Sequence, residues 1–352
     1  MIKTLGYAAT KEKEPLGPFT FERRNLRPHD VKIDILYCGV CHSDLHFVKN
    51  EWKKTIYPIV PGHEIVGRVT KIGSGVKAFK VGDIAAIGCM VDSCRTCPNC
   101  QNHLEQYCDK EITLTYNSLD KIDGTVTYGG YSTQIVADEK FILHVPKSFK
   151  EKDLAGVAPL LCAGITTYSP LRHWKIGKGS RVGVVGLGGL GHMAVKLAHS
   201  MGAYVVLFTT SANKTQDAKR FGADEVVISN NLAEVEKFTN SLDLIINTVS
   251  VPHNLDTFLT LLKLDGTMCM VGLPEHLHPS PNISNLIFKR RKLAGSLIGG
   301  IKETQEMLDY CAEHNILSDI ELIPIQKINE AYERMLKSDV KYRFVIDIAS
   351  FQ

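Results

Sequence analysis

Two thiols and an imidazole, Cys41, His63 and Cys162, come from three separated segments, and Glu64 adds a carboxylate directly after the histidine. Soft sulfur and borderline nitrogen are donors that suit zinc, and a set of three leaves a fourth position open to water or a substrate oxygen. Such a site does chemistry rather than stapling a fold. Taken alone, a cysteine in the run Cys41-His42-Ser43-Asp44-Leu45-His46 would more often be core packing, and either histidine an ordinary polar residue. The joint pattern with Gly62-His63-Glu64 carries the reading.

A second set is spaced differently. Cys94, Cys97, Cys100 and Cys108 stand in one loop, enough thiolates to close a tetrahedral zinc shell with no open position. A redox pair of the Cys-x-x-Cys kind needs only two cysteines and opens a helix, for which Pro98 and Asn99 make a poor loop. This set reads as a structural zinc.

The third motif is the turn Gly186-Leu187-Gly188-Gly189-Leu190-Gly191, between an expected strand over 181–185 and an expected helix. Its glycines permit a tight turn and close approach of backbone to a pyrophosphate at the helix N-terminus. The helix carries an apolar stripe of Leu190, Met193, Ala194, Leu197, Ala198 and Met201, and Gly202 ends it. The next strand, over 204–208, runs into Thr209-Thr210-Ser211, with no acid before Asp217. Without a carboxylate for the ribose 2′-hydroxyl, and with Thr209, Thr210, Ser211 and Lys214 to meet a 2′-phosphate, the cofactor expected is NADP(H). The plainer alternative is that Ser211 caps the following helix and Lys214 is solvated surface.

The elements that must position these groups change texture along the chain. Up to about residue 150 there are short alternating strands, among them 31–36, 66–72 and 84–87. From about residue 176 strands alternate with amphipathic helices, with strands expected over 181–185, 204–208, 225–228, 242–246, 267–271 and 292–298 and a helix over 254–264. Helices over 303–314 and 328–337 and a strand over 343–348 follow, and this tail is expected to return to the first domain. The fold class is therefore α/β, with a β-rich domain over 1–162 and 298–352 and a doubly wound six-stranded parallel sheet over 163–297.

Composition sets bounds. The 352 residues, 44% hydrophobic, exceed one ordinary core, and 41 basic against 38 acidic side chains leave a net charge of only +3. Nothing in that balance asks for a nucleic acid or a charged membrane surface. No apolar run of signal-peptide or membrane-spanning length is present, and the cysteines sit in metal-ligand spacing, so a reducing cytoplasmic setting is expected.

Together the residues 41–46, Pro61-Gly62-His63-Glu64 with Gly67 and Gly73, the four-cysteine loop, Leu161-Cys162-Ala163-Gly164, the glycine turn and Tyr342-Arg343-Phe344-Val345-Ile346-Asp347 resemble the zinc-dependent medium-chain alcohol dehydrogenases. The cinnamyl alcohol dehydrogenase branch is the nearest pattern. That resemblance implies a GroES-like catalytic domain beside a Rossmann domain, two zinc ions per chain and a homodimer. It implies Cys41, His63 and Cys162 as catalytic zinc ligands, Glu64 as an alternate ligand, and Asp44 as the group that orients His63. Ser43 and His46 would form a proton relay, with Ser43 where plant members carry threonine, and His42 would lie near the cofactor pyrophosphate. The activity implied is reversible hydride transfer between NADPH and a primary alcohol or aldehyde held at the zinc, aromatic or aliphatic. Polyol or secondary-alcohol oxidation is the nearest alternative, and a zinc-ribbon binding module, which would explain only residues 94–108, is the distant one. Cys89 and Trp52 are candidates to line the substrate pocket, while Cys269 and Cys311 read as small buried hydrophobes and Cys38 carries no assignment.

Overall fold

In the computed structural model, which describes residues 1–274 and 276–351, the chain forms two compact units, Met1–Ile165 with Gly299–Gln352, and Thr166–Ile298.

The first unit is organised on the strand Asp30–Gly39, which pairs antiparallel with Ile65–Ile72, itself paired with Ile84–Ile87. One residue in two along Asp30–Gly39 faces the core, where Val31, Ile33 and Ile35 are buried. The other edge of this strand is shared. Gln134–Asp138 pairs with its first half and Arg343–Asp347 with its last three residues, Val345 opposite Gly39. Ile320–Pro324 then runs parallel to Arg343–Asp347. In this way the last strand of the chain stands beside the segment that leads into Cys41.

The second unit is a six-stranded parallel sheet in the order Glu225–Ile228, Tyr204–Thr209, Arg181–Val185, Leu242–Asn247, Leu262–Met270, Lys292–Gly295. That order, 3-2-1-4-5-6, is the doubly wound arrangement. Its central strands are covered on both faces, so Val182, Val184, Val205, Val206, Leu207, Phe208, Leu244, Ile245 and Ile246 are all buried and alternation disappears. The helix Gly189–Ser200 follows the first strand and buries Met193, Ala194, Leu197 and Ala198 as its periodicity predicts.

Two expectations are corrected. The helix expected over 254–264 covers only Asp256–Leu259, and Leu262 already pairs with Leu242 at the start of the next strand. Leu255, Leu259, Leu261 and Leu262 are all buried, so this apolar cluster fits either period until its place on the sheet decides. The sixth strand also stops early, at Gly295 rather than residue 298.

Candidate functional site

Cys41 precedes the short helix His42–Val48, whose Leu45 and Val48 are buried and fix its rotation. Asp44, in the first turn, folds back to accept the Cys41 backbone N–H at 2.9 Å. The same carboxylate accepts the Gly62 N–H at 3.2 Å and the Tyr131 hydroxyl at 3.0 Å, and lies 3.3 Å from His63 Nδ1. Four contacts on a fully buried carboxylate are the saturation that burial of a charge requires. Contact at Nδ1 leaves His63 Nε2 to face the thiols as a donor atom.

The ligand atoms of Cys41, His63, Glu64 and Cys162 lie within 4.8 Å of one another, and all four residues are buried. Cys41 and Cys162 sulfurs are 3.8 Å apart. Their hydrogen bond holds the Cys41 thiol well below its ordinary range and pushes Cys162 well above it. A dense set of anionic and neutral donors of this kind fits a divalent zinc, and Cys41, His63 and Cys162 are the residues that could hold it. Cys89, half-buried, hydrogen-bonds with Cys162 and reaches the Leu161 carbonyl at 3.8 Å, so this thiol joins the cluster's edge.

Glu64 is fully buried and meets Arg343, 5% exposed, in a short ion pair. Burial raises the Glu64 carboxyl above the usual carboxylate range, with Arg343 pulling the other way. Room for the carboxylate comes from Gly39: a Cβ there would stand 1.9 Å from Glu64 Oε2. Among the described residues, Glu64 Oε2 and Arg343 Nε have no hydrogen-bond partner, although both are buried. An orphaned carboxylate oxygen next to three metal-type donors suits occasional ligation.

Ser43 Oγ lies 3.6 Å from Cys41 Sγ, and His46 stands one turn further along the same helix face. His46 Nδ1 makes a short contact with Glu51, and its ring lies 4.9 Å from that of Trp52. His42 is exposed at the start of the helix.

The four-cysteine loop is built as a closed shell. Strands Met90–Asp92 and Thr113–Leu114 flank it, Cys94 Sγ accepts the Cys97 N–H at 3.2 Å, and Cys108 Sγ accepts the Cys94 N–H at 3.3 Å. Backbone amides of Thr96 and Cys97 hold the Cys94 thiol down to about 5. All four sulfurs lie within 4.8 Å of one another, a four-thiol set that fits structural zinc. The loop also anchors a neighbour, since Glu105 accepts the Ile301 N–H at the start of helix Ile301–Glu313. None of the ten cysteines is in a disulfide.

In the second unit the glycine turn is as tight as its sequence implies. Gly186 has φ +92°, and a Cβ on Gly191 would stand 2.0 Å from the Gly186 carbonyl oxygen. Gly188 is exposed and a Cβ on it would meet nothing within 4 Å, leaving open approach beside Gly189 and Leu190 at the helix start. Leu187 is buried, and its carbonyl accepts a hydrogen bond from Lys214 Nζ at 3.1 Å. Lys214 is thus tied to the turn rather than dispersed in solvent, and Ser211 makes no side-chain cap. The Thr209 hydroxyl accepts the Ser211 N–H at 3.2 Å, and Thr210 is exposed next to it.

Three residues of the site, Glu51, Tyr116 and Tyr131, have no motif of their own, and a fourth, Arg343, stands in the stretch 342–347 without a role expected for it. Arg343 had one available signal, a cation opening the apolar strand Arg343–Asp347, where every other residue but the last is buried. Tyr116, which stacks on His63 at 5.7 Å, and Tyr131 offered none.

A doubly wound sheet with a glycine turn at its first helix, on one chain with a buried thiol–imidazole–carboxylate cluster and a four-thiol loop, defines a metal-dependent dehydrogenase as the class. Residues 27–147 match the family model of the alcohol dehydrogenase GroES-like domain, and residues 189–313 that of the zinc-binding dehydrogenases. The chain belongs to the zinc-dependent medium-chain alcohol dehydrogenase family. It is 59% identical over 346 residues to the aldehyde reductase YahK of Escherichia coli strain K12, covering 98% of each chain. It is 54% identical to NADP-dependent alcohol dehydrogenase C 1 of Mycolicibacterium smegmatis over 100% of both, and 53% identical to the mannitol dehydrogenase of Petroselinum crispum over 95% of this chain and 98% of that one. Among solved structures, the cinnamyl alcohol dehydrogenase of Helicobacter pylori in complex with NADP(H) superposes with a TM-score of 0.92 at 44% identity, covering 99% of both chains.

Proposed function

We propose that the protein is an NADP(H)-dependent, zinc-dependent alcohol dehydrogenase that works mainly as a reductase of primary aromatic or aliphatic aldehydes. The observation that carries this reading is the convergence of the Cys41, His63 and Cys162 donor atoms within 4.8 Å, with Asp44 set on the far nitrogen of His63. Bound there, zinc supplies Lewis acidity toward the substrate oxygen while the nicotinamide gives or takes hydride at the adjoining carbon. Asp44 fixes the tautomer of His63, and Arg343 holds Glu64 beside the donors as an alternate ligand. Ser43 and His46, one turn apart on one helix face, carry the proton that an alcohol loses or an aldehyde gains. Glu51 holds His46 at Nδ1 and so leaves Nε2 for that transfer. His42 contacts the cofactor phosphates, the turn 186–191 receives the pyrophosphate, and Thr209, Thr210, Ser211 and Lys214 meet the 2′-phosphate. Cys94, Cys97, Cys100 and Cys108 hold the structural zinc. The units Met1–Ile165 with Gly299–Gln352 and Thr166–Ile298 are then the catalytic and dinucleotide-binding domains.

A mannitol dehydrogenase among the relatives favours a second reading, polyol oxidation, which would use the same donors with a different pocket. Cinnamaldehyde reduction with NADPH and with NADH, each before and after zinc chelation, tests the main reading. A preference for NADPH, abolished by chelation, is expected, and mannitol as the better substrate would favour the alternative. Lys214→Ala should lower the NADPH-to-NADH ratio of kcat/KM by about ten- to a hundredfold, the worth of a charged hydrogen bond. An unchanged ratio would remove Lys214 from the 2′-phosphate site.

The assembly proposed is a homodimer. Lys292–Gly295 is an edge of the six-stranded sheet, and Ile287, Phe288, Leu293 and Leu297 around it in sequence are exposed apolar residues. Such an edge invites pairing with a second copy across a two-fold axis. A monomer by size-exclusion chromatography with light scattering would refute it. Ten free cysteines favour a reducing, cytoplasmic setting, and among the described residues no single helix is long and apolar enough to cross a membrane.

A further inference from the structure

We infer that Trp52 is a positioning residue for the His46 imidazole, at one end of an aromatic ladder that joins His46 to His63. The inference rests on the reading of His46 as the proton carrier. The Trp52 indole lies 4.9 Å from the His46 ring at 34° and meets Phe47 edge-on at 4.9 Å and 89°. Phe47 in turn meets the edge of Tyr116 at 5.4 Å and 80°, and Tyr116 stacks on His63 at 5.7 Å and 22°. Both imidazoles of the site therefore rest on one continuous row of rings, whose edge-to-face contacts fix ring planes.

His46 is held in two directions. Glu51 engages its edge at Nδ1, and Trp52 covers a face. The turn that carries both partners is bonded to His46 itself, since the Glu51 N–H donates to the His46 carbonyl at 3.0 Å. The titratable neighbours of the ring are Glu51 and His42, the latter 6.4 Å away between ring centroids. An imidazole packed against an indole is held in its plane by that contact and alters the environment of the indole. Trp52 thereby both sets the ring and reports its presence. A side chain that only lined the substrate pocket would do neither.

The test uses the full-length zinc-loaded enzyme. Of the two tryptophans, Trp174 also has a histidine neighbour, His173 at 4.6 Å, so Trp174→Phe isolates the Trp52 signal. At one fixed pH, His46→Gln in that background should change Trp52 emission, because the imidazole lies against the indole. In parallel, Trp52→Leu should lower kcat about tenfold at neutral pH and alter its pH profile, while KM for a short aliphatic aldehyde stays within about twofold. Trp52→Phe should restore most of kcat. Emission unchanged by His46→Gln, or a Trp52→Leu effect confined to KM for aromatic substrates, overturns the inference. If Trp52→Leu does not fold, emission and Trp52→Phe still decide. His46→Gln with unchanged kcat and pH profile would instead refute the relay reading, and it would do so without reference to Trp52.

Discussion

Cys162→Ala should reduce bound zinc from about two ions per chain to about one and lower kcat/KM at least about a thousandfold, with the fold retained. The size follows from what the residue does. Removing one sulfur from a three-donor set loosens the cation that polarises the substrate oxygen, and Glu64, the remaining acidic side chain of the cluster, is held by Arg343. Cys89 is a nearby thiol, hydrogen-bonded to Cys162, so Cys162→Ala combined with Cys89→Ala excludes its substitution as a donor. Cys100→Ala is the matched control from the other set. It should also cost about one zinc, but its effect should fall on stability, because that loop carries the contact that starts helix Ile301–Glu313. Metal analysis alongside kinetics separates the two. If Cys162→Ala kept both ions and its rate, the Cys41, His63, Cys162 cluster would not be the catalytic centre.

Arg343→Met should destabilise the first unit by about 3–5 kcal/mol, the usual cost of leaving a buried charge without its partner. Glu64 is fully buried, and Arg343 is its ion-pair partner. Adding Glu64→Gln should return most of that loss, since the pair as a whole stabilises far less than its halves cost when separated. Thermal unfolding of wild type, both single variants and the double variant measures the coupling. A melting temperature lowered by roughly 5–15 °C in Arg343→Met and largely recovered in the double variant is the expected pattern. Additive losses would mean that Arg343 acts through packing rather than through Glu64.

Much of this protein could be read from its sequence because metal-ligand and phosphate-binding chemistry depends on residue type and close spacing. Cys94, Cys97, Cys100 and Cys108 are gathered by one loop, and the turn 186–191 with its helix stripe is a single local unit. The parallel strands were legible too, since burial on both faces leaves apolar runs bounded by turns. The leucines near residue 260 were ambiguous, because a short apolar cluster fits both periods.

What only the tertiary structure decided lies in contacts between distant segments. Arg343 reaches Glu64 across 279 residues of chain, because the last strand pairs with the end of Asp30–Gly39. Gly39 must be glycine only because Glu64 fills the space of its Cβ. Tyr131 completes the shell of Asp44, and Tyr116 and Trp52 set the planes of the two imidazoles. Sequence determined which atoms could bind zinc and phosphate. Strand register and ring packing, which depend on neighbours far along the chain, decided how those atoms are held.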